Sequence, residues 1–332
     1  MRPDFSVLLL TTLIGVGQGL FLALFTVQLY ALAGLLPPPS AHAFYAHGSL
    51  VALVFLGGGL IASFFHLGRP ERAWRTAAKW RTSWLSREVI VLPAFMGVVL
   101  LFGAAHLTGW KPVLVSLPSG LAIDTTLALG AAGTVLAFAL FVCTAMIYAC
   151  LPFLREWASP LTVVNYTLLG GASGFALAAA FAAMVAPELT RFLAGWAFVI
   201  TLLGAASRIA SLIRNDRLKP KSTLQTAIGV KHPRIVQRSQ GAMGGSFNTR
   251  EFFHGRDARF VATVRRAFVL LAFVLPLVLM LFGTGWGARG SAAAQFAILL
   301  SFPVQVVGLL AERWFFFAQA NHTQNLYYRS VA

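Results

Sequence analysis

Charged residues are scarce in this sequence. Only 11% of its 332 residues are charged, and 58% are hydrophobic. A soluble domain carries about 25% charged and about 45–50% apolar residues, so this balance excludes a water-soluble protein. The composition indicates an integral membrane protein.

Cysteine and the common catalytic motifs are also scarce or missing. The two cysteines, Cys143 and Cys150, lie on one apolar segment. On a helix their Cα atoms would be about 10 Å apart, too far for a disulfide. The sequence holds no P-loop, dinucleotide fingerprint, HExxH motif or metal-spaced cysteine cluster. We therefore expect no catalytic residues and no metal site in this chain, and chemistry that lies elsewhere.

Long apolar runs predict transmembrane helices throughout the chain. A span needs about 20 mainly apolar residues. Continuous runs such as FVLLAFVLPLVLMLF favour helices over the alternating strands of a membrane barrel. The fold class is all-α, a polytopic membrane protein forming a single membrane domain over 1–332. The eight predicted spans are 6–33, 43–66, 86–108, 124–150, 161–186, 190–214, 262–284 and 293–318.

The basic residues predict the orientation. The chain has 26 Lys and Arg against 10 Asp and Glu. Of the 26, all but Lys111, Arg191 and Arg289 fall on the side of the two termini. Because cytoplasmic loops carry the excess of Lys and Arg, this predicts cytoplasmic N- and C-termini in a bacterial cytoplasmic (inner) membrane. The positive charge is thus explained by membrane lipid and topology, and nucleic acid is not an expected partner.

The connections differ in length between the two sides. The outer loops are short, whereas 215–261 is a long polar connection on the cytoplasmic side. Its stretch GAMGGSFNTREFFHG interleaves aromatic residues with glycines. Long loops of this kind are lids, docking segments or disordered linkers. We predict a cytoplasmic docking loop, with a disordered basic linker as the alternative.

Three ionisable residues are predicted at one depth near the cytoplasmic ends of spans. They are His66, Glu88 and Glu312, and Arg69 lies in the loop just beyond. Ionisable groups inside spans are costly and indicate function. A quinone head group needs hydrogen-bond partners for two oxygens and groups that pass two protons, which these residues would supply. The plainer interpretation is that His66 caps its helix and Glu88 pairs with Arg87 or Arg69 as a topology anchor.

Two further histidines raise a haem interpretation. His47 and His106 lie near the outer ends of the second and third spans, and a b-type haem needs axial ligands from facing helices. His66 has no histidine at its own depth in another span, which disfavours a second haem. Two ordinary histidines without a haem are the preferred interpretation.

The stretch from His66 to Val89, HLGRPERAWRTAAKWRTSWLSREV, resembles the membrane-anchor subunit of dimethyl sulfoxide reductase-type molybdoenzyme complexes. The C-terminal AERWFFFAQANHTQNLYY is similar to the same family, and the span count agrees. The resemblance implies a heterotrimer with a molybdopterin catalytic subunit and an iron–sulfur subunit, whose anchor exchanges electrons with quinone. It also implies that His66 and Glu88 lie at the quinol site, and that the anchor carries neither haem nor a covalently bound cofactor.

The 215–261 insertion and the cytoplasmic basic side depart from the periplasmic members of that family. This combination resembles its cytoplasmic, sulfite-oxidising branch. The resemblance implies that the partner oxidises sulfite at molybdenum and that quinone, either ubiquinone or menaquinone, takes the electrons. The alternatives are an anchor for quinol-driven reduction of dimethyl sulfoxide, polysulfide or thiosulfate, a haem-bearing cytochrome subunit, and a stand-alone transporter. The transporter is disfavoured because no internal repeat is found.

Cations and aromatic rings on the cytoplasmic side predict the docking surface for the iron–sulfur subunit. Cations would meet acidic groups, and rings would be the buried anchors. The predicted docking residues are Arg72, Trp74, Arg75, Phe247, Arg250, Phe252 and Phe253.

Overall fold

The computed structural model describes residues 1–39, 43–116, 118, 122–219, 223–235, 254–286 and 291–322. Within these ranges, eight helices are long and apolar enough to cross a membrane, which confirms the predicted all-α polytopic architecture. In chain order they are α1 Phe5–Leu32, α2 Phe44–Phe64, α3 Trp84–Thr108, α4 Thr125–Ala149, α5 Pro160–Val185, α6 Pro187–Asp216, α7 Ala258–Gly285 and α8 Ala292–Gln319. Helix α7 contains the π-helical turn Leu270–Val274, and a second π-helical turn, Phe282–Trp286, covers its C-terminal end.

Polar side chains fix where most of these helices begin. An Asp or Ser directly before the first helical residue accepts a hydrogen bond from a backbone N–H of the first turn, and each such cap contributes about 1 kcal/mol. The capping residues of α1, α3, α4, α5, α7 and α8 are Asp4, Ser83, Asp124, Ser159, Asp257 and Ser291. The apolar runs set the lengths of the helices, and these caps set their first residues.

Short elements lie in three of the described connections. A 3₁₀ helix, Pro70–Lys79, lies between α2 and α3. An antiparallel strand pair, β1 Val113–Ser116 and β2 Ala122–Asp124, lies between α3 and α4, where the sequence predicts only a short outer loop. A helix of one turn, Leu224–Ile228, lies inside the predicted docking loop and is capped by Thr223.

One end of the bundle gathers the basic connections. The N-terminal amine donates to the carbonyl oxygen of Ala320 at 2.8 Å, which joins the start of α1 to the end of α8. Arg214, in the last turn of α6, donates to the carbonyl oxygen of Arg155 at 3.0 Å. The guanidinium of Arg265 pairs with Asp216 at 2.7 Å and joins α7 to α6. We call this end the basic face, and it is formed by residues 1–4, 65–83, 150–159, 217–219 and 254–257.

Helices α1 and α5 form the centre of the bundle. The most apolar 18-residue windows of these two helices are 72% and 78% buried, whereas those of the other six helices are 28–39% buried. Glycines allow the close approach, since a Cβ atom at Gly174 would overlap the backbone of Gly19. Small residues at helix interfaces are the usual means of close packing in lipid. The remaining helices surround this pair.

Substituting Gly174 with valine is expected to destabilise the bundle. The added side chain meets backbone atoms of α1, which cannot move aside without separating the two central helices. We expect a loss of about 1–3 kcal/mol or more in unfolding free energy, the cost of overpacking a close contact. Thermal unfolding of the detergent-purified chain measures it. Gly195→Val is the matched control, because a Cβ atom at Gly195 meets nothing within 4 Å. Equal melting temperatures for the two variants would contradict the packing argument.

Candidate functional site

The segment between α2 and α3 is exposed at the basic face. It contains Arg69, Arg72, Trp74 and Arg75, all solvent-accessible, and the Trp74 side chain is 70% exposed. The Arg75 guanidinium carbon lies 5.4 Å from the centroid of the Trp74 ring. A large exposed aromatic ring beside cations is typical of a surface that a partner covers.

His66 follows the end of α2 and lies at the basic face. Its Nδ1 is 3.2 Å from the hydroxyl oxygen of Ser6 on α1, and that hydroxyl lies 3.0 Å from a carboxylate oxygen of Asp4. Partial burial lowers the pKa of His66 and the nearby Asp4 carboxylate opposes that shift. A neutral imidazole at neutral pH can accept a proton and pass it on. His66 therefore contacts α1 and is not merely a helix cap.

Glu88 lies in the first turns of α3 and is buried, with 6% of its surface exposed. The hydroxyl of Thr144 on α4 donates to its carboxylate at 2.5 Å. Among the described residues, no ion pair includes Glu88. Arg87 instead donates to the carbonyl oxygens of Trp80 and Arg81, so the proposed anchor pair of Glu88 with Arg87 does not form. Glu88 is thus a buried carboxyl group with a neutral partner.

Glu312 lies two turns before the end of α8 and is paired with two arginines. One of its carboxylate oxygens lies 2.7 Å from Nε of Arg208 on α6, and the other lies 3.4 Å from Nε of Arg313. All three side chains are buried. The Arg313 guanidinium carbon lies 3.7 Å from the centroid of the Tyr166 ring on α5. This cluster ties α8 to α5 and α6.

A small cavity lies between Thr144, which is the hydrogen-bond partner of Glu88, and Arg313 of the Glu312 cluster. It has a volume of about 20 Å³ and is bounded by α1, α4, α5 and α8. Its polar lining residues are Thr11, Thr12, Gln18, Thr144, Tyr166, Ser173 and Arg313. A second cavity, of about 10 Å³, lies closer to the basic face, and Tyr166 and Arg313 line both.

Three of the four predicted quinone residues have separate partners in the structure. His66 contacts Ser6, Glu88 contacts Thr144, and Glu312 pairs with arginines. Arg69 is exposed at the start of the 3₁₀ helix. At 1.5 Å per residue, Glu88 lies about 6 Å from the start of α3, and Glu312 lies about 11 Å from the end of α8. Both of these helix ends are at the basic face.

Sequence reasoning missed three residues near these side chains, namely Thr144, Tyr166 and Arg208. A signal existed for Arg208, because an arginine inside the apolar stretch of α6 is costly unless it is paired. Its charge also fits the excess of Lys and Arg on the side of the two termini, and that hides the signal. Thr144 and Tyr166 carry no such signal, since neutral hydroxyls are common in spanning helices.

The two outer histidines differ in their surroundings. His47 is exposed on α2, whereas the ring of His106 lies 4.3 Å from that of Tyr45 and 4.6 Å from that of Phe102, between centroids. Within the described ranges, no group of three or more His, Cys, Asp or Glu could hold a metal ion. The predicted docking residues Phe247, Arg250, Phe252 and Phe253 lie outside the described residues.

Eight helices that are long and apolar enough to cross a membrane, with basic connections gathered at one end, define a multi-pass membrane protein. The chain belongs to the DMSO reductase anchor subunit (DmsC) family, whose model matches residues 1–281. It is therefore a membrane-anchor subunit of that type of complex. It is also 56% identical to a sulfite dehydrogenase subunit of Allochromatium vinosum, over 332 residues that cover the whole of both chains.

Proposed function

We propose that this chain is the membrane-anchor and quinone-reactive subunit of a sulfite-oxidising complex. Family membership supports the anchor role, and the similarity to the sulfite dehydrogenase subunit supports sulfite as the substrate of the complex. The observation that carries quinone reactivity is Glu88, a buried carboxyl whose hydrogen-bond partner is the neutral Thr144 hydroxyl. Such a group is costly inside a membrane span and is expected to have a function.

The proposed partners are an iron–sulfur subunit and a molybdopterin catalytic subunit, in a heterotrimer at the cytoplasmic side of the bacterial inner membrane. The basic face would then be the cytoplasmic one, as its excess of Lys and Arg favours. Sulfite is oxidised to sulfate in the catalytic subunit, and its two electrons reach this chain through the iron–sulfur subunit. The molybdopterin and the iron–sulfur clusters belong to the partner subunits, and quinone is the substrate of this chain.

Reduction of quinone to quinol consumes two electrons and two protons, one proton for each carbonyl oxygen. In the proposed site, the Glu88 carboxyl and the His66 imidazole hold and donate these protons. The Arg69 guanidinium stabilises negative charge that develops on the oxygens during reduction. Glu312 completes the predicted set, and its two arginine partners also give it a role in holding the bundle together.

A comparison of complexes with and without this chain tests the proposal. Membranes that hold the whole complex should reduce a short-chain ubiquinone or menaquinone analogue when sulfite is added. The catalytic and iron–sulfur subunits without this chain should oxidise sulfite only with an artificial soluble electron acceptor. Equal quinone reduction by both preparations would place the quinone site in another subunit. If no acceptor supports sulfite oxidation, the substrate assignment is wrong, whereas the anchor class stands.

Removal of the exposed ring and cation between α2 and α3 is expected to weaken docking. Trp and Arg are the residues most often found as interface hot spots, and their truncation costs about 2 kcal/mol, or about 30-fold in affinity. We expect Trp74→Ala with Arg75→Ala to release the soluble subunits from washed membranes, measured by immunoblot of both fractions. Trp110→Ala is the control, because Trp110 is 62% exposed in the connection that follows α3 at the other end of the bundle. Undiminished binding by the double variant would remove this segment from the docking surface.

A further inference from the structure

Buried polar side chains form a row from Glu88 to the basic face. The row starts with the Thr144 hydroxyl, which donates to the Glu88 carboxylate at 2.5 Å and is itself buried. Thr144 also lines the 20 Å³ cavity. A hydroxyl that donates one hydrogen bond can accept another. Thr144 therefore connects Glu88 to the cavity and can pass a proton between them.

The first cavity has the size and lining that suit one water molecule. A water needs about 10–15 Å³ and at least two polar partners, and this cavity provides about 20 Å³. Its wall includes Thr12 Oγ1, a buried oxygen that has no hydrogen-bond partner among the described residues. Tyr166 lines the side of the cavity that belongs to α5. One water in this cavity would connect the Thr144 hydroxyl to Tyr166.

The second cavity continues the row to the basic face. Its 10 Å³ is at the lower limit for one water. Tyr166 lines it too, together with Asn165, whose side-chain oxygen is buried and has no hydrogen-bond partner in the described part of the chain. Glu156 and Ser159, from the connection between α4 and α5, form its outer wall. These two residues belong to the basic face, so the row ends where solvent can supply protons.

The charged groups beside the row hold Tyr166 in place. Arg313 lies against the Tyr166 ring, and Glu312 lies between Arg313 and Arg208. The Glu312 carboxylate is held by ion pairs with Arg208 and Arg313, so it is suited to fixing its neighbours in place. Tyr148 of α4 stacks on Tyr166 with 5.8 Å between ring centroids. The neutral hydroxyls and the two cavities are therefore the groups able to conduct protons here.

We propose that this row is the proton-uptake route from the basic face to Glu88, with Thr144 and Tyr166 as positioning residues. The inference rests on the proposed function, since it assumes that Glu88 donates a proton to quinone. In that step an O–H bond forms on the quinone oxygen as the O–H bond of Glu88 breaks. The Thr144 hydroxyl then returns a proton to the carboxylate and takes one from the water behind it. Two electrons from the iron–sulfur subunit balance the two protons that quinone takes up.

Removal of the Thr144 hydroxyl tests the route in the whole membrane-bound complex. Valine has the shape of threonine without the hydroxyl, and serine keeps the hydroxyl. We expect Thr144→Val to lower the maximal rate of sulfite-driven reduction of a short-chain ubiquinone or menaquinone analogue about tenfold, with unchanged KM for the quinone and a larger solvent deuterium isotope effect. Thr144→Ser should keep the wild-type values. Tyr166→Phe should behave like Thr144→Val, and sulfite oxidation with a soluble acceptor should not change in any variant.

Thr134→Val is the matched control. Thr134 also lies on α4, and its hydroxyl donates to the backbone carbonyl of Gly130 rather than to a carboxylate. A wild-type rate and isotope effect in Thr144→Val and Tyr166→Phe would overturn the route. So would equal losses in Thr144→Val and Thr144→Ser without a change in isotope effect, which would indicate a structural role. Glu88→Gln separates the two proposals, because normal quinone reduction in that variant would contradict the proposed function itself.

Discussion

Replacing Glu88 with glutamine is expected to slow sulfite-driven quinone reduction by about 10²–10⁴-fold, the usual contribution of a general acid or base. Glutamine has the shape of glutamate, and its amide oxygen can still accept the hydrogen bond of Thr144. It has no carboxylic proton to donate to the quinone oxygen. Sulfite oxidation with a soluble acceptor should be retained, because electrons then leave the partner subunits before they reach this chain.

The measurement is the rate of sulfite-dependent quinone reduction by membranes that hold the complex, compared with the soluble-acceptor rate of the same preparation. His66→Ala is also expected to lower the ratio of the quinone-reduction rate to the soluble-acceptor rate, since the His66 imidazole is the second proposed proton donor. Glu188→Gln is the control, because Glu188 lies in the first turn of α6, at the other end of the bundle. A normal ratio in both Glu88→Gln and His66→Ala would remove this pair from the quinone site and leave Glu88 as a buried partner of Thr144.

The spans could be predicted from the sequence because a membrane requires long apolar runs, and such runs are visible one segment at a time. Helix α6 shows the limit of that reasoning. The predicted span 190–214 is shorter than Pro187–Asp216, because the last turn of α6 is held by contacts with another connection. Arg214 and Asn215 donate to carbonyl oxygens of the segment between α4 and α5. Tertiary contacts of this kind extend a helix beyond its apolar stretch.

The sequence predicts how far along its span each candidate residue lies, but it does not predict which side chain that residue contacts. Residue position along a span gives its distance from the membrane surface, so Glu88 and Glu312 could both be placed near the basic face. The direction in which each side chain points depends on how the helices pack around α1 and α5. Glu312 points to Arg208, which lies 104 positions earlier in the chain, and Glu88 points to Thr144. Neither pair has a local signature in the sequence.

Neutralising Glu312 is expected to destabilise the bundle by about 3–5 kcal/mol, the cost of breaking a buried ion pair. Arg208 and Glu312 are 2% and 1% exposed, and their charged atoms lie 2.7 Å apart. In Glu312→Gln, Arg208 keeps its charge and remains buried without an anionic partner. The uncompensated charge, rather than the lost attraction, accounts for most of the expected loss. Thermal or denaturant unfolding of the detergent-purified chain would measure it.

An exposed ion pair of the same type gives the matched control. Arg265 and Asp216 also lie 2.7 Å apart, but their side chains are 37% and 55% exposed. Because water solvates both charges, Asp216→Asn should cost only about 0–1 kcal/mol. Replacing both buried partners, in Arg208→Met with Glu312→Gln, should recover much of the stability that Glu312→Gln loses, since no unpaired guanidinium is left on α6. If the double variant were no more stable than Glu312→Gln, the loss would come from packing around Arg313 and Tyr166 rather than from the buried charge of Arg208.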